Sequence, residues 1–145
     1  MTYWDTSAFL KLYVAEHDSP YFVRLLASTS DQISSSAIVT AEALCALYRK
    51  EQAGELRRGA AKVVFQKLVA DAEAGHFITI PYGREVVAQA ETVVKLALGR
   101  RRPLMIRTLD AIHIASALAS NASLMVATDS RLRAVAELAG LKVLP

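Results

Sequence analysis

At 145 residues, with 53% hydrophobic and 21% charged side chains, the chain is long enough to bury a core and too apolar to be intrinsically disordered. No apolar run approaches the roughly 20 residues a membrane-spanning helix needs, which argues against a membrane protein. The net charge of +3 and a pI near 9.2 suit a partner made of phosphates but do not identify one.

Residues 1–4 are a short apolar entry that reads as a first strand. Asp5, Thr6 and Ser7 follow, all able to cap a helix over 8–15. Asp5 stands where a secretion signal would carry positive charge, so a cytoplasmic protein is expected. A polar break at 16–20 separates this helix from a second over 20–27, and 32–34 reads as a short strand. From 36 to 52 the pattern is helical, with Ala41, Leu44 or Cys45, and Tyr48 at spacings of three and four and Glu42 one position off that stripe. Cys45 lies among Ala43, Leu44, Ala46 and Leu47 and reads as a small core residue rather than half of a disulfide.

A second amphipathic helix spans 56–74, its apolar side made of Val63, Val64, Leu68 and Ala72, with Gly54 and Gly75 punctuating the hairpin. Residues 77–80 form a strand before Pro81, and 84–98 a helix ending at Gly99. Arg100, Arg101 and Arg102 make a basic loop suited to a nucleic-acid backbone or simply to a solvated surface. The helix 109–119 is apolar nearly all round, interrupted by Asp110, His113 and Ser116, and is expected to be buried. The continuous apolar run 124–127 suits a central strand of a parallel sheet; Asp129, a helix over 130–139, Gly140 and a last strand over 141–144 close the chain. Strands alternating with helices, without repeats or linkers, predict one α/β domain over 1–145: a mainly parallel central sheet flanked by helices on both faces.

Ligands of such sheets gather beyond the carboxyl ends of the strands. Asp5 and Asp129 follow predicted strands, and Glu42 and Asp110 open predicted helices, so all four can face one edge. Four converging carboxylates repel one another unless cations hold them, and hard oxygen donors without a Cys or His cluster favour Mg²⁺ or Mn²⁺. Such a site suits phosphodiester hydrolysis by metal-activated water. Taken singly, each acid has a plainer reading: Asp5 and Asp129 as helix caps, Glu42 as a solvated partner of Lys or Arg. His113, one helical turn after Asp110, reads as a proton shuttle, a phosphate ligand or a histidine satisfied inside the fold. Thr6, Ser7, Thr128 and Ser130 flank the acids as supporting hydrogen-bond donors or as caps.

The segments Tyr3-Trp4-Asp5-Thr6-Ser7-Ala8, Thr40-Ala41-Glu42, Leu109-Asp110-Ala111-Ile112-His113 and Ala127-Thr128-Asp129-Ser130 resemble, end to end and in order, the PIN-domain family, in particular VapC-type toxins of bacterial and archaeal toxin–antitoxin pairs. The resemblance implies a Mg²⁺- or Mn²⁺-dependent endoribonuclease with an acidic pocket of Asp5, Glu42, Asp110 and Asp129. It also implies a homodimer and a VapB-like antitoxin that blocks the pocket. The competing readings are a catalytically silent PIN-like module that binds nucleic acid or acts as a scaffold, and a phosphohydrolase forming a phospho-aspartate at Asp5. That second chemistry commonly needs another acid two residues on, where Ser7 stands.

Overall fold

Alternation along β1 (Thr2–Trp4) organises the molecule. Tyr3 and Trp4 are both fully buried, yet successive strand residues point to opposite faces, so each anchors a different core. The computed structural model describes residues 1–145 as five parallel strands in the order β3-β2-β1-β4-β5, with β2 (Ile33–Ser36), β3 (Ile78–Ile80), β4 (Leu124–Val126) and β5 (Val143–Leu144). The register pairs Tyr3 with Ser34 on one side and Met125 on the other.

On the Trp4 face lie α1 (Thr6–Leu10), α2 (Ser19–Ala27), α3 (Val39–Gln52) and α4 (Ala60–Glu73), contributing Phe9, Phe22, Leu47 and Leu68 to one cluster with Val126. On the Tyr3 face lie α5 (Arg84–Leu98), α6 (Thr108–Ala119) and α7 (Ser130–Leu138), contributing Val93, Ile114, Leu132 and Val135 to a second cluster with Met125. The expected α/β architecture, parallel sheet and two-sided helical cover are therefore all present. None of the helices is long and apolar enough to cross a membrane.

Several local expectations are corrected. The second strand runs to Ser36, although serine is a poor strand former, because the three buried serines are small and Ser35 Oγ donates to the Trp4 carbonyl at 2.8 Å. The helix after Asp5 begins at Thr6 and tightens into turns after Leu10, where Lys11, Leu12 and Tyr13 donate to carbonyls three residues back. The long hairpin helix starts at Ala60, four residues later than predicted, because Gly59 sits at φ 83° and breaks the pattern.

Burial on the hairpin is also shifted. Val39, Ala43 and Leu47 form the buried stripe of α3, so Leu44, Tyr48 and Cys45 are exposed, and Cys45 is not a core residue. Val63, at 63% exposure, lies outside the apolar side of α4. A helix that packs on a single sheet face buries a narrower arc than its run of apolar residues suggests.

Candidate active site at the carboxyl edge of the sheet

The chain leaves β1 for β2 on one side, whereas β4 pairs with β1 on the other, so the strand order reverses between β1 and β4. A crevice opens beyond the strand ends at such a reversal. Asp5 and Thr128 border it: the Asp5 amide donates to the Val126 carbonyl at 3.0 Å, and the Ser7 and Thr128 hydroxyls meet at 2.5 Å across it. Because α3 starts where β2 ends, and α6 descends to the start of β4, the first turns of both helices open onto the same edge. Glu42 and Asp110 occupy those turns.

Asp5 is the buried member, 4% exposed. Its Oδ1 accepts the Ala8 amide at 2.8 Å as the N-cap of α1, and both oxygens accept the Ser7 hydroxyl at 2.9 and 2.8 Å. Burial pushes its pKa up. The His113 imidazole, the Ala8 amide and Ser7 oppose that rise, and the Glu42 charge adds to it. Capping and ligation are thus compatible at this residue, since a carboxylate has more lone pairs than the cap consumes.

Glu42 is half-buried and held from one side only. Thr6 Oγ1 donates to Oε2, and His113 Nε2 lies 2.7 Å from the same atom. Burial works against its ionisation, but the bonds to His113 and Thr6 win and hold the carboxyl below the usual range. His113 is 2% exposed; its Nδ1 lies 2.7 Å from Tyr3 Oη and its Nε2 3.2 Å from Thr6 Oγ1. Of its three sequence-based readings, satisfaction inside the fold is the one these contacts describe, and the satisfying partners belong to the candidate site.

Asp129 caps α7, its Oδ1 accepting the Arg131 amide at 2.8 Å and the Leu132 amide at 3.2 Å, with Arg131 Nη2 3.7 Å from Oδ2. Burial tends to raise its pKa. The Leu132 and Arg131 amides, with the Arg131 and Arg107 charges, outweigh burial and lower it. Asp110, half-buried, accepts the Arg107 amide at a long 3.4 Å. Ser130 is exposed at the start of α7.

The structure therefore gathers Asp5, Thr6, Ser7, Glu42, His113 and Thr128 through direct or shared contacts, with Asp110 and Asp129 on the same rim. No three Asp, Glu, His or Cys side chains stand close enough together to cage an ion. The donor chemistry nevertheless fits a hard divalent cation, because the fold keeps one carboxylate buried against its ionisation and leaves Glu42 Oε1 without a hydrogen-bond partner. Arg100, Arg101 and Arg102 are exposed on the loop after α5, and the residues that follow them, Pro103, Leu104 and Met105, line a cavity with Ser130 and Arg131 at the start of α7. Arg107 and Arg131, unremarked in the sequence, are the cations beside Asp129. Tyr3 was missed too, because nothing in an apolar strand marks a phenol aimed at a histidine 110 residues away.

The two roles of Asp129 are separable. Asp129→Asn keeps an excellent cap and is expected to change stability by only a few tenths of a kcal/mol, whereas Asp129→Ala removes it at a cost of about 0.5–2 kcal/mol. Since the folded pKa of Asp129 is depressed, the wild-type advantage over Asp129→Ala is present above the ordinary Asp range and fades as pH falls through the folded value. Urea titrations at several pH values check both statements.

A parallel sheet with a reversal crevice rimmed by acids defines an α/β protein with a polar site at the strand ends. The profile of the PIN domain family matches residues 2–138, and the chain belongs to that family. Comparison with curated proteins gives no significant sequence match. Among solved structures, the chain is similar to one in FitAB bound to the IR36 DNA fragment (18% identity, TM-score 0.72, covering 99% of this chain and 94% of that one). It is also similar to one in VapBC2 from Rickettsia felis bound to a DNA fragment from their promoter (16% identity, TM-score 0.68, 99% and 98% covered). A third is in VapBC-1 from nontypeable Haemophilus influenzae (14% identity, TM-score 0.68, 99% and 97% covered). At these identities the likeness concerns the fold.

Proposed function

We propose that this PIN domain is a metal-dependent endoribonuclease, the toxin of a VapBC-type pair. The observation that carries the reading is Asp5: a carboxylate buried at the reversal point of the sheet, raised in pKa by burial, with Glu42 close enough to add to that rise. A fold retains such an acid at a cost unless a cation compensates it.

Asp5, Glu42, Asp110 and Asp129 would hold Mg²⁺ or Mn²⁺, which supplies a hydroxide nucleophile near neutral pH and neutralises charge on the phosphodiester. The chain's own work is orientation. Ser7 and the Ala8 amide fix Asp5, Thr6 and His113 fix Glu42, and the Arg131 and Leu132 amides fix Asp129. Arg107 and Arg131 place positive charge on the rim where phosphate would approach, in keeping with the basic net charge. Neither a seryl nor a cysteinyl nucleophile is needed, and Cys45 lies on the outer side of α3.

The neighbours' two-component names support a VapB-like antitoxin partner. A groove of about 540 Å³ between α5 and α6, lined by the exposed Tyr82, Val87 and Leu98, supports a homodimer, since exposed apolar surface often marks a protein–protein contact. Cytoplasmic action follows from an RNA substrate.

The test is cleavage of total RNA by the purified chain, with ends mapped by sequencing. Cleavage that a chelator abolishes, and that Mg²⁺ or Mn²⁺ restores, is expected. RNA binding without cleavage at any divalent-ion concentration would replace this reading by the silent binding module.

A further inference from the structure

Tyr3, Ser36, His113, Thr6 and Glu42 form a chain of hydrogen bonds from the centre of the sheet to the rim. We infer that Tyr3 and His113 are positioning residues: through their hydrogen bonds they hold Glu42 by Oε2 and leave Oε1, which has no hydrogen-bond partner, free for the divalent ion. The inference rests on the nuclease reading above and adds the device that orients one of its acids.

Counting protons along the chain carries the argument. The Ser36 amide donates to Tyr3 Oη at 2.9 Å, and an amide can only donate. The phenol keeps its single proton to give, and His113 Nδ1 stands 2.7 Å away to receive it. With Nδ1 acting as acceptor, Nε2 is the ring nitrogen left to donate, 2.7 Å from Glu42 Oε2. The Thr6 hydroxyl donates to the same oxygen, so both restraints fall on Oε2.

The rings support a fixed geometry. Tyr3 and His113 pack edge to face with centroids 5.9 Å apart and planes at 71°. Tyr3 is fully buried and His113 nearly so, whereas the Glu42 side chain is 22% exposed. A histidine merely filling the core would end on a backbone carbonyl. This one transmits the position of a β1 residue, two before Asp5, to an acid on another helix. Histidines that orient metal-binding carboxylates through hydrogen bonds work in this way, and losing such support typically costs about 10- to 100-fold in metal affinity or activity.

Two measurements on the full chain test it. Long-range ¹H–¹⁵N NMR of the metal-free wild type is expected to show His113 protonated at Nε2 with Nδ1 bare; a proton on Nδ1 overturns the relay. Calorimetric titration with Mn²⁺ then compares wild type, Tyr3→Phe, His113→Leu and His113→Gln. Binding weaker by about 10- to 100-fold is expected in Tyr3→Phe and His113→Leu. Recovery of most of that loss is expected in His113→Gln, whose side-chain amide can donate where Nε2 did. Folded Tyr3→Phe and His113→Leu binding Mn²⁺ like wild type would overturn the relay and leave the nuclease reading standing. A wild type that binds no Mn²⁺ at all would overturn the nuclease reading, and the relay with it.

Discussion

Asp5→Asn is expected to abolish RNA cleavage while leaving the metal-free protein at least as stable as wild type. The substitution is nearly isosteric, and Asn caps helices as well as Asp does, so the Ala8 amide keeps an acceptor at Oδ1. What disappears is a buried negative charge. Removing one preorganised electrostatic contact costs about 10²- to 10³-fold in rate, and loss of a principal metal carboxylate belongs at the upper end of that range or beyond it.

The stability side follows from the sign of the pKa shift. Asp5 is raised in the folded state chiefly by burial, so the native protein binds a proton more tightly than the unfolded chain does. Stability therefore falls as pH climbs from the ordinary Asp value, about 3.9, through the raised folded value, and is level above it. The Asn variant has no such loss. Its advantage over wild type should emerge above pH ~4, widen through the folded pKa and then hold constant. Divalent ions reverse the order: a ligand bound only by the native state stabilises by about 2.7 kcal/mol at a hundred times its Kd, and only wild type should gain. Thermal melts across pH with and without Mn²⁺ read both effects. An Asn variant that cleaves RNA at the wild-type rate, or that melts well below wild type without metal, contradicts this account of the site.

The parts of the molecule legible in the sequence are those encoded by local pattern. α5 reads over 84–98, ending at Gly99, and the observed helix has those limits. Asp5 and Asp129 read as helix caps, chemistry that concerns neighbours in the chain, and both cap helices. What stayed hidden depends on partners distant in sequence. The end of β2 does not read as strand until β1 supplies the Trp4 carbonyl for the Ser35 hydroxyl. Which arc of α3 is buried depends on where α4 packs, and this separates Cys45 from Leu47. The contact between Tyr3 and His113 bridges 110 residues.

Trp4 ties that global packing to the site, and its substitutions should separate two effects that a single variant would confound. Trp4 is fully buried among Ala8, Phe9, Phe22 and Val126, with the Phe22 ring 6.2 Å away and steeply inclined at 62°. Trp4→Ala is expected to cost about 3–5 kcal/mol in lost contacts and residual cavity. That is a third or more of the stability of an ordinary domain, about 5–15 kcal/mol. Yet Trp4 Nε1 is buried without an acceptor, and an orphaned donor costs about 1–3 kcal/mol. Trp4→Phe removes that donor while keeping an aromatic ring against Phe22, so the relief offsets most of the lost volume and the net change should be under about 1 kcal/mol. Urea midpoints at unchanged m-value measure both. The next residue is Asp5, whose amide is pinned to Val126, itself packed in the same cluster. A void under Trp4 therefore loosens the site from beneath, and the Ala variant should lose cleavage activity even where it remains folded. The Phe variant should keep it. Equal destabilisation by Ala and Phe would mean that the indole N–H has a partner and that the face of β1 below Asp5 is held by polarity as well as by packing.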